Sequence, residues 1–232
     1  VLVVGAGALG NEVCKNLVLS GFRHLTLVDP DHVVPANRNR CLFFSPEDAR
    51  TRRKKAPAVA EKLAALDPEA EVETRVQRIQ DCQEGLIPRH HLVLGCLDNI
   101  QARLHVNAHA YHHRVPYIDG GTRGTRGKVQ VVIPPQTSCL ECGMNATHRR
   151  AGSLRYSCTG RETAFFSPKL AADITITSII AAIQVQEALK VVHGRRRHLL
   201  RHLLYYHGDR NRARVMEVPV NPHCPHHRHH QQ

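Results

Sequence analysis

Four residues in the second half of the chain have the types and spacing of a metal site. Cys139 and Cys142 stand in SCLECG, and Cys224 and His227 in NPHCPHH. Each pair offers two donors on a short arm, as a tetrahedral Zn2+ requires. A Cys3His set filled entirely by protein is structural, and it would clamp the C-terminal segment onto residue 139. His226 and His229 stand close enough to take the fourth place. The competing reading is a chance cysteine ahead of a histidine-rich tail.

A second set, at the start of the chain, has the types that hold a nucleotide. Gly5-x-Gly7-x-x-Gly10 follows the apolar run VLVV and opens a segment with helical spacing. Its glycines permit a tight turn and let phosphate approach the free amides of a helix N-terminus. Asp29 ends the next apolar run, where a carboxylate can accept hydrogen bonds from ribose hydroxyls. These features do not distinguish NAD from ATP, but the following loop does. Asn37, Arg40 and the run Arg52, Arg53, Lys54, Lys55 supply fixed cations, which an enzyme that expels pyrophosphate needs and a dehydrogenase does not. Asp98, with Asn99 beside it, stands at a strand end, where its oxygens can hold Mg2+ on the phosphates. Such an Asp-Asn pair also serves as a turn or helix cap. Cys158 lies in RYSCTGRET between Arg155 and Arg161, whose charges would lower its thiol pKa and favour a nucleophile. An isolated cysteine can also be incidental.

These residues need a frame, and the periodicity supplies one. VLVV, HLTLVD (24–29), EVETRVQRI (71–79) and HHLVLGCLDN (90–99) read as strands, alternating with helices over 11–21, 55–68 and 100–114. Strands at VPYIDGG and KVQVVIP follow. Residues 143–167 are polar and basic and read as an exposed crossover loop, and 171–192 reads as a buried helix carrying too many polar residues for a membrane span. HLLYYHG and RARVMEVPV form a hairpin around GDRN. The expected fold is α/β: a Rossmann-like sheet, parallel in its N-terminal half and antiparallel towards the C-terminus, with helices on both faces and residues 1–232 forming one domain.

The chain has 232 residues and a formal net charge of +12, which favours an anionic partner. Its eight cysteines are too scattered for a secreted disulfide scaffold, so a reducing cytoplasm is expected. The run GRRRHLLRH (194–202) reads as a solvated face. The sequence opens on a strand, without methionine, as one lacking its N-terminal residues would.

Taken together, GAGALGNEV, VDPDHV, ANRNRCLF, KKAPAVAEKL, LVLGCLDN, PYIDGG, SCLECG, QVQEALKVVHG and VNPHCPHH resemble the ThiF/MoeB/HesA adenylyltransferases, whose fold is shared by the adenylation domain of ubiquitin-activating enzymes. The resemblance implies MgATP-dependent adenylation of the C-terminal carboxylate of a ubiquitin-like or sulfur-carrier protein ending in Gly-Gly. It implies Gly5, Gly7 and Gly10 at the phosphates, Asp29 at the ribose, Asn37, Arg40 and Lys55 beside the phosphates, and Asp98 at Mg2+. Lys54 or Arg53 are substitutes for Lys55, because the spacing from Arg40 is two residues longer than the family pattern. His227 departs from the family's usual four cysteines. Cys158 falls where many members carry an acceptor of the activated protein as a thioester, or a cysteine for sulfur transfer, with a downstream conjugating or sulfur-transfer protein as a further partner. The chain is similar to a compact homodimeric prokaryotic-type enzyme or to an adenylation domain excised from a larger one. The rival expectations are an NAD-dependent oxidoreductase and a basic zinc module that binds nucleic acid. The second is weakened by an aromatic content of 4% and the lack of tryptophan.

Overall fold

The computed structural model describes residues 1–144 and 173–228. Its described strands form a single sheet: β1 (Leu2–Val4), β2 (His24–Val28), β3 (Glu71–Arg75), β4 (Val93–Gly95), β5 (Tyr117–Arg123), β6 (Arg126–Val132), β7 (Leu203–His207) and β8 (Arg212–Met216), in the order β3-β2-β1-β4-β5-β6-β7-β8. β1 to β5 pair in parallel, and β5 to β8 pair antiparallel. This is the expected change of sense along the sheet.

β1 is buried throughout because both of its faces are covered. Val3 joins a core with α1 (Ala8–Leu19), α3 (Lys55–Leu66) and α5 (Ile174–Val192), while Leu2 and Val4 join a second core with α4 (Ile100–His112). Helices therefore lie on both faces. α5 is long and apolar enough to cross a membrane by length and composition, but Ile176, Ile180, Ala181, Val185 and Ala188 are buried in the first core. Gly127 of β6 makes this possible, since a Cβ there would lie 2.2 Å from Ile180.

Three strands are markedly shorter than expected, β8 stopping at Met216 where RARVMEVPV runs to Val220. β3 stops at Arg75, opposite Val28, where its partner β2 also ends. β4 begins only at Val93, because Ile87–Arg89 form a 3-10 turn and the His90 side chain bonds back to the Leu86 carbonyl oxygen. In the loop of residues 30–54, Pro35–Asn37 form a 3-10 turn and α2 (Pro46–Arg50) is capped by Ser45, whose hydroxyl accepts from the Asp48 amide. The expected hairpin is β7–β8, turned through Gly208–Arg210 and Asn211 at φ 46°. α6 (Pro225–Arg228) ends the described chain. Cys158 and the greater part of the expected 143–167 loop lie outside the described residues.

Candidate functional site

The three glycines of the first loop do different work. Gly5 has φ +105°, and a Cβ on it would lie 2.5 Å from the Cys96 carbonyl oxygen. A Cβ on Gly10 would lie 1.9 Å from the Gly5 carbonyl oxygen. These two glycines let β1, α1 and the end of β4 close on one another. Among the described residues, nothing stands within 4 Å of such an atom on Gly7 and no side chain caps α1, so the first-turn amides lack a capping side chain. Asn11, fully buried, locks the loop: its amide donates to the Ala6 and Gly7 carbonyls at 2.9 Å, and its oxygen accepts from Phe43 N–H at 2.9 Å.

Asp29 leaves β2 beside this loop. Its Oδ2 accepts from Ala6 N–H at 2.7 Å and its Oδ1 from Asp31 N–H at 2.8 Å. Burial raises its pKa above the usual carboxylate value, opposed by the Lys55 charge and the two amides. Lys55, at the start of α3, pairs with Asp31 at 2.8 Å. Arg53 is turned away, bound to Glu61 at 2.5 Å and Asp48 at 3.5 Å, and Lys54 reaches the Pro30 carbonyl oxygen at 3.4 Å. Of the three basic residues, Lys55 is the one whose charge acts on Asp29, while its ammonium pairs with Asp31. Asn37 is buried and its oxygen accepts from Val34 N–H at 3.0 Å, and Arg40 donates to the Ala36 carbonyl oxygen at 2.8 Å. Both side chains thus shape their own loop.

The end of β4 joins this region to a cleft. Cys96 N–H donates to the Val4 carbonyl oxygen at 2.8 Å, and Asp98 follows, exposed. Asn99 caps α4, accepting from Ala102 N–H at 2.8 Å. A cleft of about 320 Å³ opens beside them, lined among others by Asp98, Arg103, Arg123, Arg126, Lys128 and Tyr205. Arg103 donates to the Leu97 carbonyl oxygen through Nε at 3.0 Å and pairs with the buried Asp119 at 2.8 Å. Tyr117 O–H donates to the other Asp119 oxygen at 2.9 Å. Gly121 leaves room for the guanidinium, which an added Cβ would approach within 2.6 Å. Arg103 thus holds the carbonyl next to Asp98.

At the other end of α4, the ligand atoms of Cys139, Cys142, Cys224 and His227 all lie within 4.8 Å of one another. Cys139 Sγ stands 3.8 Å from Cys142 and 3.5 Å from Cys224. The hydrogen bond between Cys139 and Cys142 pulls the Cys142 thiol down to about 5 and pushes Cys139 up. α4 backs the cluster: Tyr111 O–H lies 2.8 Å from His227 Nδ1, and the Asn107 oxygen accepts from Leu140 N–H at 3.0 Å. His226 instead pairs with Glu141 at 2.8 Å, so among the described residues His227 is the histidine that stands with the three thiols; His229 lies outside them.

The pattern described as the ThiF family matches residues 1–226. The chain belongs to the ThiF family. The catalytic subunit of the NEDD8-activating enzyme E1 from Dictyostelium discoideum is 35% identical over 159 residues, which are 63% of this chain and 36% of that protein. SUMO-activating enzyme subunit 2 from the same organism is 34% identical, over 61% of this chain and 22% of its own length. Among solved structures, E. coli MccB with ATP has a TM-score of 0.77 and 20% identity, covering 97% of this chain and 65% of MccB. The chain thus spans about a third or less of these curated relatives. Within this ThiF chain, Asp29 bonds to the glycine loop, the loop packs on Cys96 two residues before Asp98, and the cysteine cluster gathers residues of the C-terminal half.

Sequence inspection overlooked Asn11, Arg103, Asp119, Lys128 and Tyr111. Asp119 carried a signal, since an acid inside the apolar strand VPYIDGG needs a buried partner. Nothing in the helical spacing of α4 singled out Arg103 as that partner.

Proposed function

We propose that this chain adenylates the C-terminal carboxylate of a ubiquitin-like or sulfur-carrier protein, with MgATP as the co-substrate. The observation that carries this is the glycine loop ahead of α1, with open space at Gly7, Asp29 bonded to its Ala6 amide, and Gly5 packed on Cys96 two residues before Asp98. The ThiF match and the relatives named as activating enzymes support the same chemistry.

In this reading the α1 amides face the phosphates and Asp29 holds the ribose. The carrier's carboxylate oxygen attacks the α-phosphorus, the bond to the bridging oxygen breaks, and pyrophosphate leaves. Lys55 and Arg40 offset the charge that grows on the leaving group. Asp98 would hold Mg2+, which supplies charge neutralisation on the phosphates. Arg103 keeps the Leu97 to Asn99 segment in place. Cys158 would then accept the acyl group as a thioester, releasing AMP.

The cysteine cluster fits structural Zn2+: three thiols and an imidazole are its preferred donors, and two thiolates about 2.3 Å from a tetrahedral ion stand about 3.8 Å apart. Tyr111 would orient His227 as a hydrogen-bonded neighbour orients a metal-bound imidazole.

The test is ATP–pyrophosphate exchange with a panel of ubiquitin-fold carriers ending in Gly-Gly. Exchange that appears with a carrier and is lost in Asp98→Ala is the expected result. Exchange that persists unchanged in Asp98→Ala would sink the proposal.

A further inference from the structure

Beyond β5, the sheet face that carries α4 runs out from under that helix. Directly paired residues of antiparallel strands share a face. The registers Gly121↔Lys128↔Tyr205↔Arg214 and Arg123↔Arg126↔His207↔Arg212 therefore lay two rows of side chains across β5 to β8. Their face follows from the alternation of side chains along a strand. Asp119, two residues before Gly121, meets Arg103 of α4, whereas Gly127, next to Lys128, meets Ile180 of α5 on the opposite side.

Five residues in the rows are lysine or arginine, and none is acidic. Arg123, Arg126, Arg212 and Arg214 are exposed. Among the described residues, none of the five cationic side chains makes a hydrogen bond or ion pair. Lys128 lines the cleft beside Asp98, with its pKa lowered by burial. Within each row, side chains on neighbouring strands stand about 5 Å apart, so the cations form a near-continuous band from β5 to β8.

We propose that these rows are a docking track for an acidic polypeptide: the carrier whose C terminus reacts beside Asp98 bears Asp or Glu side chains in the tail ahead of that terminus. The proposal rests on the adenylation reading for the direction in which the tail enters. A polypeptide is favoured over nucleic acid because the rows end at the cleft beside Asp98, where a carrier's C terminus reacts in the adenylation reading. Moreover, only Tyr205 and His207 offer rings in the rows, a poor platform for stacked bases.

The whole chain is titrated, by fluorescence anisotropy at low and moderate salt, with three labelled peptides that share a free Gly-Gly terminus and carry Glu, Gln or Lys at the four preceding positions. A single-stranded DNA oligonucleotide is the fourth probe. The glutamate peptide is expected to bind about ten-fold more tightly than the glutamine one, with an advantage that shrinks as salt rises. Arg123→Glu with Arg126→Glu should abolish that advantage, and Arg212→Glu with Arg214→Glu should reduce it about three-fold. Equal binding of the three peptides, or an acid preference that survives both double reversals, overturns the track. DNA that binds more tightly than the glutamate peptide and is lost in the same variants overturns the polypeptide as occupant. ATP–pyrophosphate exchange keeps the two proposals apart: exchange indifferent to tail charge removes the track and spares adenylation, whereas selective peptide binding without exchange from any carrier removes adenylation and spares the track.

Discussion

The glycine loop and the cysteine cluster lie towards opposite ends of α4, about 20 Å of helix apart, and they are built by opposite means. The loop is local: Gly5, Gly10 and Asn11 form it with their own backbone and with the end of β4, and Asp29 closes it through one amide. The cluster is non-local, joining Cys139 to Cys224, 85 residues away, on a platform of Tyr111 and Asn107. The difference separates two kinds of dependence. Chemistry should reside in the first region, and cohesion of the C-terminal segment in the second.

Four measurements would break or sharpen that division. Asp98→Asn should lower ATP–pyrophosphate exchange by about 100- to 1,000-fold while leaving the melting temperature within about 2 °C, since the residue is exposed. If melting fell sharply with it, the site could not be called chemically separate. Cys224→Ser, or chelation monitored by released metal, should lower the melting temperature by about 10 °C or more. Residual exchange measured well below the transition should fall far less than in Asp98→Asn, and an equal loss would make cohesion and chemistry a single property.

Gly10→Ala forces a Cβ onto the Gly5 carbonyl and should cost about 1–3 kcal/mol, several degrees by calorimetry. Gly7→Ala, with open space around it, should leave stability within about 0.5 kcal/mol and raise the apparent KM for ATP. Reversal of that pair would refute the assignment of Gly7 to the ligand. The smallest expected effect concerns pH. Because burial raises the Asp29 pKa, its carboxylate takes up a proton above the ordinary range near 4. Nucleotide affinity should therefore fall as pH drops through that raised value, and Asp29→Asn should flatten the profile in a fluorescent-ATP titration.

Much of this frame was legible before any coordinates. VLVV and HLTLV announced buried parallel strands because both faces of such strands are apolar, and GAGALG announced a turn because its glycines recur at fixed spacing. The cysteine cluster could be read from two short arms, since each ligand pair is local although the whole is not. What stayed hidden was whatever depends on pairing at a distance. No pattern ties Arg103 to Asp119, and no spacing assigns Asn11 to Phe43. The two cationic rows became visible only once the register of β5 to β8 aligned residues that the sequence scatters from 123 to 214.

The span between Cys139 and Cys224 also bears on how the protein is made. A ribosome delivers Cys139 and Cys142 long before Cys224 and His227, with the whole of α5, β7 and β8 between them. A nascent chain can offer a metal only two of its four ligands until those elements have been synthesised. Loading of a metal on the cluster would therefore be a late event in biogenesis, and its retention would certify that the strands carrying the cationic rows have already been delivered.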